Sequence, residues 1–184
     1  MAAELEPEAL VVHVVPMRRR HLRSVLRIEA EVYPRPWSMS LFMSELGMRA
    51  TRAYFAARIG RDVVGYAGLM LMGDDGHITT IAVDPAWHRH QIGTRLLLAL
   101  VHEARAREAL NLTLEVRVSN RGAQDLYRRF GFESVGVRKG YYAENEDAMI
   151  MWSNGIDAPE YEARLAGLER KIRGGTIVES PRRW

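Results

Sequence analysis

Two kinds of apolar pattern alternate along the chain, one typical of strands and one typical of helices. Short runs rich in apolar residues predict seven strands, at residues 10–15, 52–59, 63–72, 77–83, 112–116, 133–138 and 148–152. Apolar positions three or four residues apart predict helices at residues 18–32, 40–46, 92–109 and 123–130. Because the two patterns alternate, the sequence predicts a mixed α/β (α+β) fold.

The last thirty or so residues follow a different pattern. An apolar stripe of Tyr161, Leu165, Leu168 and Ile172 predicts one more helix, which ends at Gly174-Gly175 and packs on the domain or on a second subunit. With 184 residues, 47% of them hydrophobic, the chain can build one core but not two. We therefore divide it into a flexible N-terminus (1–9), one globular domain (10–155), and a C-terminal helix with a loose tail (156–184).

Charge and composition exclude several classes of protein. The formal net charge is only +3, from 26 cationic and 23 anionic residues, and no basic face interleaved with aromatic residues is visible. Arginine runs at 18–20 and 182–183 leave a nucleic-acid-binding module as an alternative, but the near balance of charge disfavours it. The lack of cysteine excludes disulfides, thiolate metal sites and a covalent intermediate on a protein thiol.

No segment has the pattern of an export signal or of a membrane span. Residues 1–8 hold three glutamates, and no arginine or lysine occurs before Arg18. The basic, apolar and small-residue regions of a signal peptide therefore do not follow one another here. Apolar runs fall far short of the ~20 residues that cross a bilayer. Together with the absence of cysteine, these features predict a cytoplasmic protein with no membrane partner.

Residues 81–94 carry the first chemical information, because a strand there runs through a turn into the N-terminus of a long helix. Helix N-termini present unpaired N–H groups and the positive end of the helix dipole, which suit a diphosphate. Arg89 adds a cation, and Gly93 lets a ligand approach the backbone. Such a junction also occurs as plain architecture, so these residues alone leave both interpretations open.

This segment resembles the diphosphate loop of the GNAT superfamily of acetyltransferases. That loop reads Val-Asp-Pro, then Gln or Arg, two variable residues, Gly, one variable residue, and Gly or Ala. Val83-Asp84-Pro85 and Gly93 match the pattern, whereas His88 stands where Gln or Arg is usual and Gln91 where the first glycine is usual. Gln91 must therefore adopt the backbone angles of that turn, and its side chain can crowd the ligand.

A second segment resembles one branch of that superfamily, the RimI-like protein N-terminal acetyltransferases. The motifs of this branch occur here as Leu-Glu-Val-Arg-Val-Ser-Asn (114–120), Leu-Tyr (126–127), Gly-Phe (131–132), Arg-Lys-Gly-Tyr-Tyr (138–142), Asp-Ala-Met-Ile-Met (147–151) and Pro-Trp-Ser (36–38). The resemblance covers about residues 10–152. It implies the GNAT fold, a mixed and mostly antiparallel seven-stranded sheet with helices on both faces, splayed where the cofactor enters, plus the extra C-terminal helix.

The resemblance also implies an acetyl-CoA-dependent N-acetyltransferase, and the residue types suit that chemistry. Moving acetyl from sulfur to an amine needs a neutral amine, a stabilised oxyanion and a proton for the leaving thiolate. Glu115 is the candidate base, acting directly or through a water, with a salt-bridged or solvated carboxylate as the alternative. Tyr127 stands where the family places the acid, with a core tyrosine beside Phe130 and Phe132 as the alternative.

The predicted cofactor site follows the loop and the strand before it. Backbone groups of Ile81 and Val83 pair with the pantetheine arm as an added strand would, and the Val83 N–H can polarise the thioester carbonyl. Asn120 contacts the same arm, caps the next helix, or does both. The predicted coenzyme A contacts are Ile81, Ala82, Val83, Arg89, His90, Gln91, Ile92, Gly93, Thr94, Asn120 and Tyr127.

Aromatic residues are the candidates for the acceptor site, because aromatic walls with hydroxyl tips can position a peptide end. The candidates are Tyr33, Trp37, Tyr141 and Tyr142. Trp37 has an alternative role as a hydrophobic plug between the first two helices. His88 and His90 lie in a turn without further ligands, so we predict no metal site and expect them to flank the phosphates.

These observations predict a protein N-terminal acetyltransferase with acetyl-CoA as co-substrate. The expected partner is the α-amine of an Ala- or Ser-starting protein, for which the resemblance suggests a ribosomal protein. We expect a monomer or a weak homodimer and no nucleic-acid partner. A small-molecule amine acetyltransferase and a coenzyme A-binding protein without turnover are the alternatives within the same fold.

Overall fold

A computed structural model describes residues 10–179, so the predicted flexible N-terminus (1–9) and the last five residues of the predicted tail lie outside the described residues. Within that range the strands are β1 (Val11–Pro16), β2 (Arg52–Ile59), β3 (Asp62–Met72), β4 (Asp75–Val83), β5 (Asn111–Arg117), β6 (Glu133–Arg138), β7 (Ala148–Asn154) and β8 (Gly175–Val178). The α-helices are α1 (Leu22–Val32), α2 (Met39–Gly47), α3 (Ile92–Ala106), α4 (Arg121–Arg129) and α5 (Pro159–Glu169). None of these helices is long and apolar enough to cross a membrane.

The strands form one sheet in the order β6-β7-β5-β4-β3-β2-β1-β8. Neighbouring strands are antiparallel except for β4 with β5 and β1 with β8, which are parallel. The predicted mixed, mostly antiparallel sheet is therefore confirmed. A parallel pair needs a long crossover, and α3 supplies it between β4 and β5.

The predicted strand count was one too low, and the C-terminal helix ends at Glu169, before the predicted end at Gly174-Gly175. The prediction of a loose tail is wrong for residues 176–178, which belong to β8. β8 pairs in parallel with β1, from Val11 opposite Gly175 to Val14 opposite Val178. Four residues that begin with the second glycine of a pair carry too short a pattern to predict a strand. The strand forms because β1 offers an edge of unpaired N–H and C=O groups that β8 can satisfy.

Helices cover both faces of the sheet, as predicted. α1 and α2 lie over one apolar cluster, to which Phe42 contributes, and α3, α4 and α5 lie over the other, to which Leu97 and Leu165 contribute. Side chains alternate between the faces along each strand, so neighbouring residues such as Tyr54 and Phe55 belong to opposite clusters.

β4 and β5 pair over a short stretch only, residues 75–77 with residues 111–113. On its other side, β4 has a bulge against β3, because Gly68 pairs with Thr80 while the next residue pairs with Ile78. A bulge bends the strand and increases its twist. Beyond the bulge the two parallel strands diverge, which produces the splayed opening that the family resemblance implied.

Candidate active site

Glu115 lies on β5, two residues beyond the last pair that this strand forms with β4. Leu114 and Val116 on either side are buried in the cluster that contains α3, so strand alternation turns Glu115 to the opposite face. The Glu115 side chain is 16% exposed, and its oxygens lie 3.2 Å from His77 Nε2 and 3.6 Å from Arg138 Nη1. The carboxylate is thus held between two nitrogen groups where β4 and β5 begin to diverge.

His77 connects β4 to β5 through both of its ring nitrogens. Nδ1 lies 2.7 Å from Thr113 Oγ1, and Nε2 faces Glu115. Burial lowers the pKa of His77 below its ordinary value, the Glu115 carboxylate opposes that shift, and Arg138 adds to it. A neutral imidazole at pH 7 then donates from Nε2 to Glu115 and accepts the Thr113 hydroxyl proton at Nδ1.

His77 was not among the predicted site residues. Its strand was predicted, but its position opposite Thr113 depends on the register of two parallel strands joined by a long crossover. The sequence shows only a histidine in a predicted strand. Its role can be predicted only once the register that places it opposite Thr113 is known. Arg138 was also missed as a site residue, since it reaches Glu115 from β6, a strand that is paired with β7 and not with β5.

Tyr127 lies on α4 and is 8% exposed, with its ring packed against Phe132 at a centroid distance of 5.9 Å. Burial raises its pKa, and the nearby phenols of Tyr33 and Tyr142 raise it further. Within the described residues its hydroxyl has no hydrogen-bond partner, while the ring is part of the core. A phenol in this state is protonated at neutral pH, as a proton donor must be.

Tyr33 and Tyr142 are placed close enough to Tyr127 to influence its charge state. The Tyr33 hydroxyl donates to the Ile81 carbonyl on β4 at 3.0 Å. The Tyr142 ring lies under the Arg117 guanidinium, 4.2 Å from its centroid. Burial raises the pKa of both tyrosines. Glu115 also raises the pKa of Tyr142, so this predicted acceptor-site residue lies near both predicted catalytic residues, while Tyr33 lies near Tyr127.

The other two predicted acceptor residues have different surroundings. Tyr141 is 46% exposed and meets Tyr142 edge-on at 5.0 Å. The Trp37 ring lies 5.3 Å from Phe42 in the cluster under α1 and α2, and its main-chain N–H donates to Glu29 at 2.9 Å. These are the contacts of the hydrophobic plug that was the alternative for Trp37.

The turn before α3 is fixed by Asp84. Its carboxylate accepts the Ala86 N–H at 3.0 Å and pairs with Arg27 of α1 at 2.8 Å. α3 then starts after Gln91 with no capping side chain and no acidic residue in its first turn. The first N–H groups of a helix have no partner within the helix, so this end remains a site for an anion.

The surroundings of this helix end fit a diphosphate. A Cβ added at Gly93 would lie 3.3 Å from Leu126, so α3 and α4 approach each other closely at this residue. Arg89 is exposed and forms no ion pair with any residue of the described range. The side chains of Ile92 and Thr94 are buried, so these two predicted contacts have only backbone groups to offer.

The two histidines of the turn bind the main chain of their own segment. His88 Nε2 lies 3.2 Å from the Val83 carbonyl, and His90 Nδ1 lies 2.9 Å from the His88 carbonyl. Across residues 10–179, no group of three or more His, Asp or Glu side chains is placed to hold a metal. Ala82, between the two predicted pantetheine-binding residues, has its side chain buried under α1.

Asn120 caps α4, since its side-chain oxygen accepts the Ala123 N–H at 3.1 Å. This is the alternative role that the sequence left open beside coenzyme A binding. The side-chain nitrogen forms no hydrogen bond within the described residues, so capping leaves a donor available.

Gln91 adopts a left-handed backbone conformation, with φ +57°. The turn thus has the left-handed geometry that the family pattern implied for this position. Its side chain does not lie free over the helix end. Nε2 donates to the Lys171 carbonyl at 3.1 Å, and Oε1 accepts the Arg173 N–H at 2.9 Å.

Comparison with known proteins gives consistent matches. The acetyltransferase (GNAT) family model matches residues 22–132. The N-alpha-acetyltransferase RimI of Mycobacterium tuberculosis is 36% identical over 158 residues, covering 82% of this chain and 95% of that protein. The ribosomal protein bS18-alanine N-acetyltransferase of Escherichia coli is 34% identical over 133 residues, covering 71% and 88%. The crystal structure of the Escherichia coli ribosomal-protein-S18-alanine N-acetyltransferase superposes with a TM-score of 0.72 at 31% identity, covering 78% of this chain and 94% of that one.

Proposed function

Because the chain belongs to the GNAT family of acetyltransferases, in its RimI-like branch, and is an acetyl-CoA-dependent acetyltransferase, we propose that its acceptor is the α-amino group at the N-terminus of a protein. The observation that carries the proposal is Glu115, bound to His77 where β4 and β5 diverge and near Tyr142. Relatives named for the alanine of ribosomal protein bS18 support an Ala- or Ser-starting acceptor, with that ribosomal protein as the first candidate.

Acetyl-CoA would lie in the opening between the diverging strands. The free N–H groups of Ile92, Gly93 and Thr94, with Arg89 beside them, would hold its diphosphate. Backbone groups of residues 81–83 and the free amide nitrogen of Asn120 would bind the pantetheine arm. The cofactor supplies the acetyl thioester, and the residues around it supply position and protons.

Glu115 would act as the base on the acceptor side. A terminal α-amine has a pKa of about 8, so a modest base is enough to take its proton as the nitrogen attacks. The new bond joins this nitrogen to the acetyl carbon. His77 lies 3.2 Å from one carboxylate oxygen and Arg138 lies 3.6 Å from the other, so the amine or a bridging water would approach the second oxygen beside Arg138.

Tyr127 would act as the acid on the cofactor side. As the bond between acetyl carbon and sulfur breaks, the phenol gives its proton to the departing thiolate. The raised pKa keeps this proton in place until the thiolate forms. Tyr33 and Tyr142 would line the path of the acceptor peptide between the two proton-transfer groups.

The test is acetyl transfer from labelled acetyl-CoA to short peptides that differ in their first residue, with the label located by fragment-ion mass spectrometry. We expect label on the α-amine of Ala- and Ser-starting peptides, including one with the bS18 N-terminus. Peptides with a blocked α-amine and an internal lysine are the control. Label on free polyamines in preference to peptides would overturn the proposal and move the acceptor to small amines.

A further inference from the structure

The segment that follows α5, residues 170–179, lies across the beginning of α3. It includes β8, on the outer edge of the sheet. The whole segment lies beyond residue 132, where the family match ends. Two side chains of the α3 N-terminal region, Gln91 and Arg95, bind its main chain. They are four residues apart and so face the same side of the helix.

Arg95 anchors the segment to α3. Its side chain is 1% exposed, and its guanidinium donates to the carbonyls of Arg173 and Gly175 and to the Thr176 hydroxyl. A buried guanidinium needs such acceptors, because an unpaired buried charge is strongly unfavourable. These bonds fix the position of the segment along α3, next to Gln91.

Gln91 then connects this anchored segment to the diphosphate turn. Its amide forms one bond as donor, to Lys171, and one as acceptor, from Arg173. A residue with a Cβ is strained in the left-handed region, which glycine occupies freely. The pair of side-chain bonds offsets that strain, because both bonds require the amide to stay where the left-handed backbone puts it.

We infer that residues 170–179 set the shape of the diphosphate-binding turn through Gln91, which makes Gln91 a positioning residue for coenzyme A. The inference rests on the proposed place of the diphosphate at the α3 N-terminus. The family pattern has glycine here, and this chain replaces the freedom of glycine with a side chain held by the C-terminal segment. The amide faces that segment, so the helix N–H groups remain open to the ligand.

Coenzyme A affinity, measured by calorimetry with coenzyme A alone, tests the inference without any acceptor. Gln91→Ala keeps the strained Cβ and loses both side-chain bonds, so we expect its Kd to rise about five- to tenfold. Gln91→Gly removes the strain as well, and should recover most of the lost affinity. Glu162→Gln, which breaks a contact between α5 and Arg105 far along α3, is the matched control and should bind as the wild type does.

Kinetics separate positioning from general damage. For Gln91→Ala we expect the KM for acetyl-CoA to rise by a similar factor, with kcat and the KM of the peptide unchanged. Equal Kd values for Gln91→Ala and the wild type would overturn the inference. Equal losses in Gln91→Ala and Gln91→Gly would also overturn it, since the side chain would then contact the cofactor directly. These binding results stand whichever amine is the acceptor, so failure of the peptide assay is a separate outcome.

Discussion

Glu115 and Tyr127 differ in what the surrounding protein does with their polar atoms. Glu115 is bound at 3.2 Å by His77 and lies 3.6 Å from Arg138, so its position is fixed by neighbours on two other strands. The Tyr127 hydroxyl has no partner in the part of the chain that the structure describes, although its ring is buried. Substitutions at the two residues should therefore lower activity with little effect on stability, for a different reason at each residue.

Replacement of Glu115 by Gln should lower kcat by about a hundredfold, because the amide has the same shape but cannot take a proton. Folding should be retained, since His77 can still donate to the amide oxygen. Steady-state rates at saturating acetyl-CoA, together with a thermal melt, measure both effects. Glu169→Gln on α5 is the control and should keep full activity, because Glu169 pairs with His102 of α3, on the face of the sheet opposite to Glu115. A wild-type kcat in Glu115→Gln would remove Glu115 from the mechanism.

Replacement of Tyr127 by Phe should lower kcat by about ten- to a hundredfold and leave the melting temperature nearly unchanged. The contrasting control is Tyr161→Phe. Its hydroxyl donates to the Phe130 carbonyl at 2.7 Å, so its loss should cost about 1 kcal/mol of stability and little activity. If both variants kept full activity, the proton for the thiolate would have to come from another group.

At the scale of elements, the opening for the cofactor depends on the bulge between β3 and β4. Gly68 lies at this bulge, and a Cβ there would meet the Tyr54 ring at 2.3 Å and Thr79 Oγ1 at 2.6 Å. Tyr54 is itself buried and donates to Glu45 at 2.7 Å, so it has little freedom to move away. The bulge therefore needs a glycine for reasons of space.

Gly68→Ala should lower the free energy of unfolding by about 1–3 kcal/mol, which is the usual cost of overpacking a core. The matched control is Gly136→Ala on the edge strand β6, where an added Cβ meets nothing within 4 Å. That variant should stay within about 0.5 kcal/mol of the wild type. Urea denaturation of the three proteins measures the difference, and equal stability of both variants would contradict the packing argument.

At the scale of the whole molecule, stability should depend on pH through buried histidine. His21, before α1, is 5% exposed; burial, with Arg20, Arg58 and Arg18 nearby, lowers its pKa to about 4. The unfolded chain binds the proton first as pH falls, since its histidine pKa is about 6.5. Stability from this site is thus complete above pH ~6.5 and is lost as pH falls toward 4.

We expect the free energy of unfolding to be about 1–2 kcal/mol lower at pH 5.0 than at pH 7.5. In His21→Gln the difference between the two pH values should be smaller, although His77 adds a contribution of the same sign. Denaturant titrations of both proteins at the two pH values provide the measurement. If the free energy of unfolding of His21→Gln fell by the same amount between the two pH values, the pH dependence would come from other groups.

Much of this architecture could be predicted from local patterns. The strand around Glu115 was predicted from its apolar residues, and Leu112, Leu114 and Val116 are buried in the structure. The turn before α3 was predicted from Asp84, Pro85 and Gly93, and the left-handed backbone of Gln91 from its place in the motif. Each of these depends on residues within about one turn or strand of each other.

The sequence by itself determined the order of elements as far as α5 and the helix end that can hold an anion, because periodicity and turn chemistry are local properties, while helices on both faces of the sheet were implied by the family resemblance. Only the tertiary structure decided that His77 faces Glu115, that residues 175–178 complete the sheet, and that Gln91 binds the C-terminal segment. These contacts join residues about 40 to 160 positions apart, as their numbers show. Their formation depends on strand register and on how α3 and α5 pack, and neither of these produces a periodic pattern in the sequence.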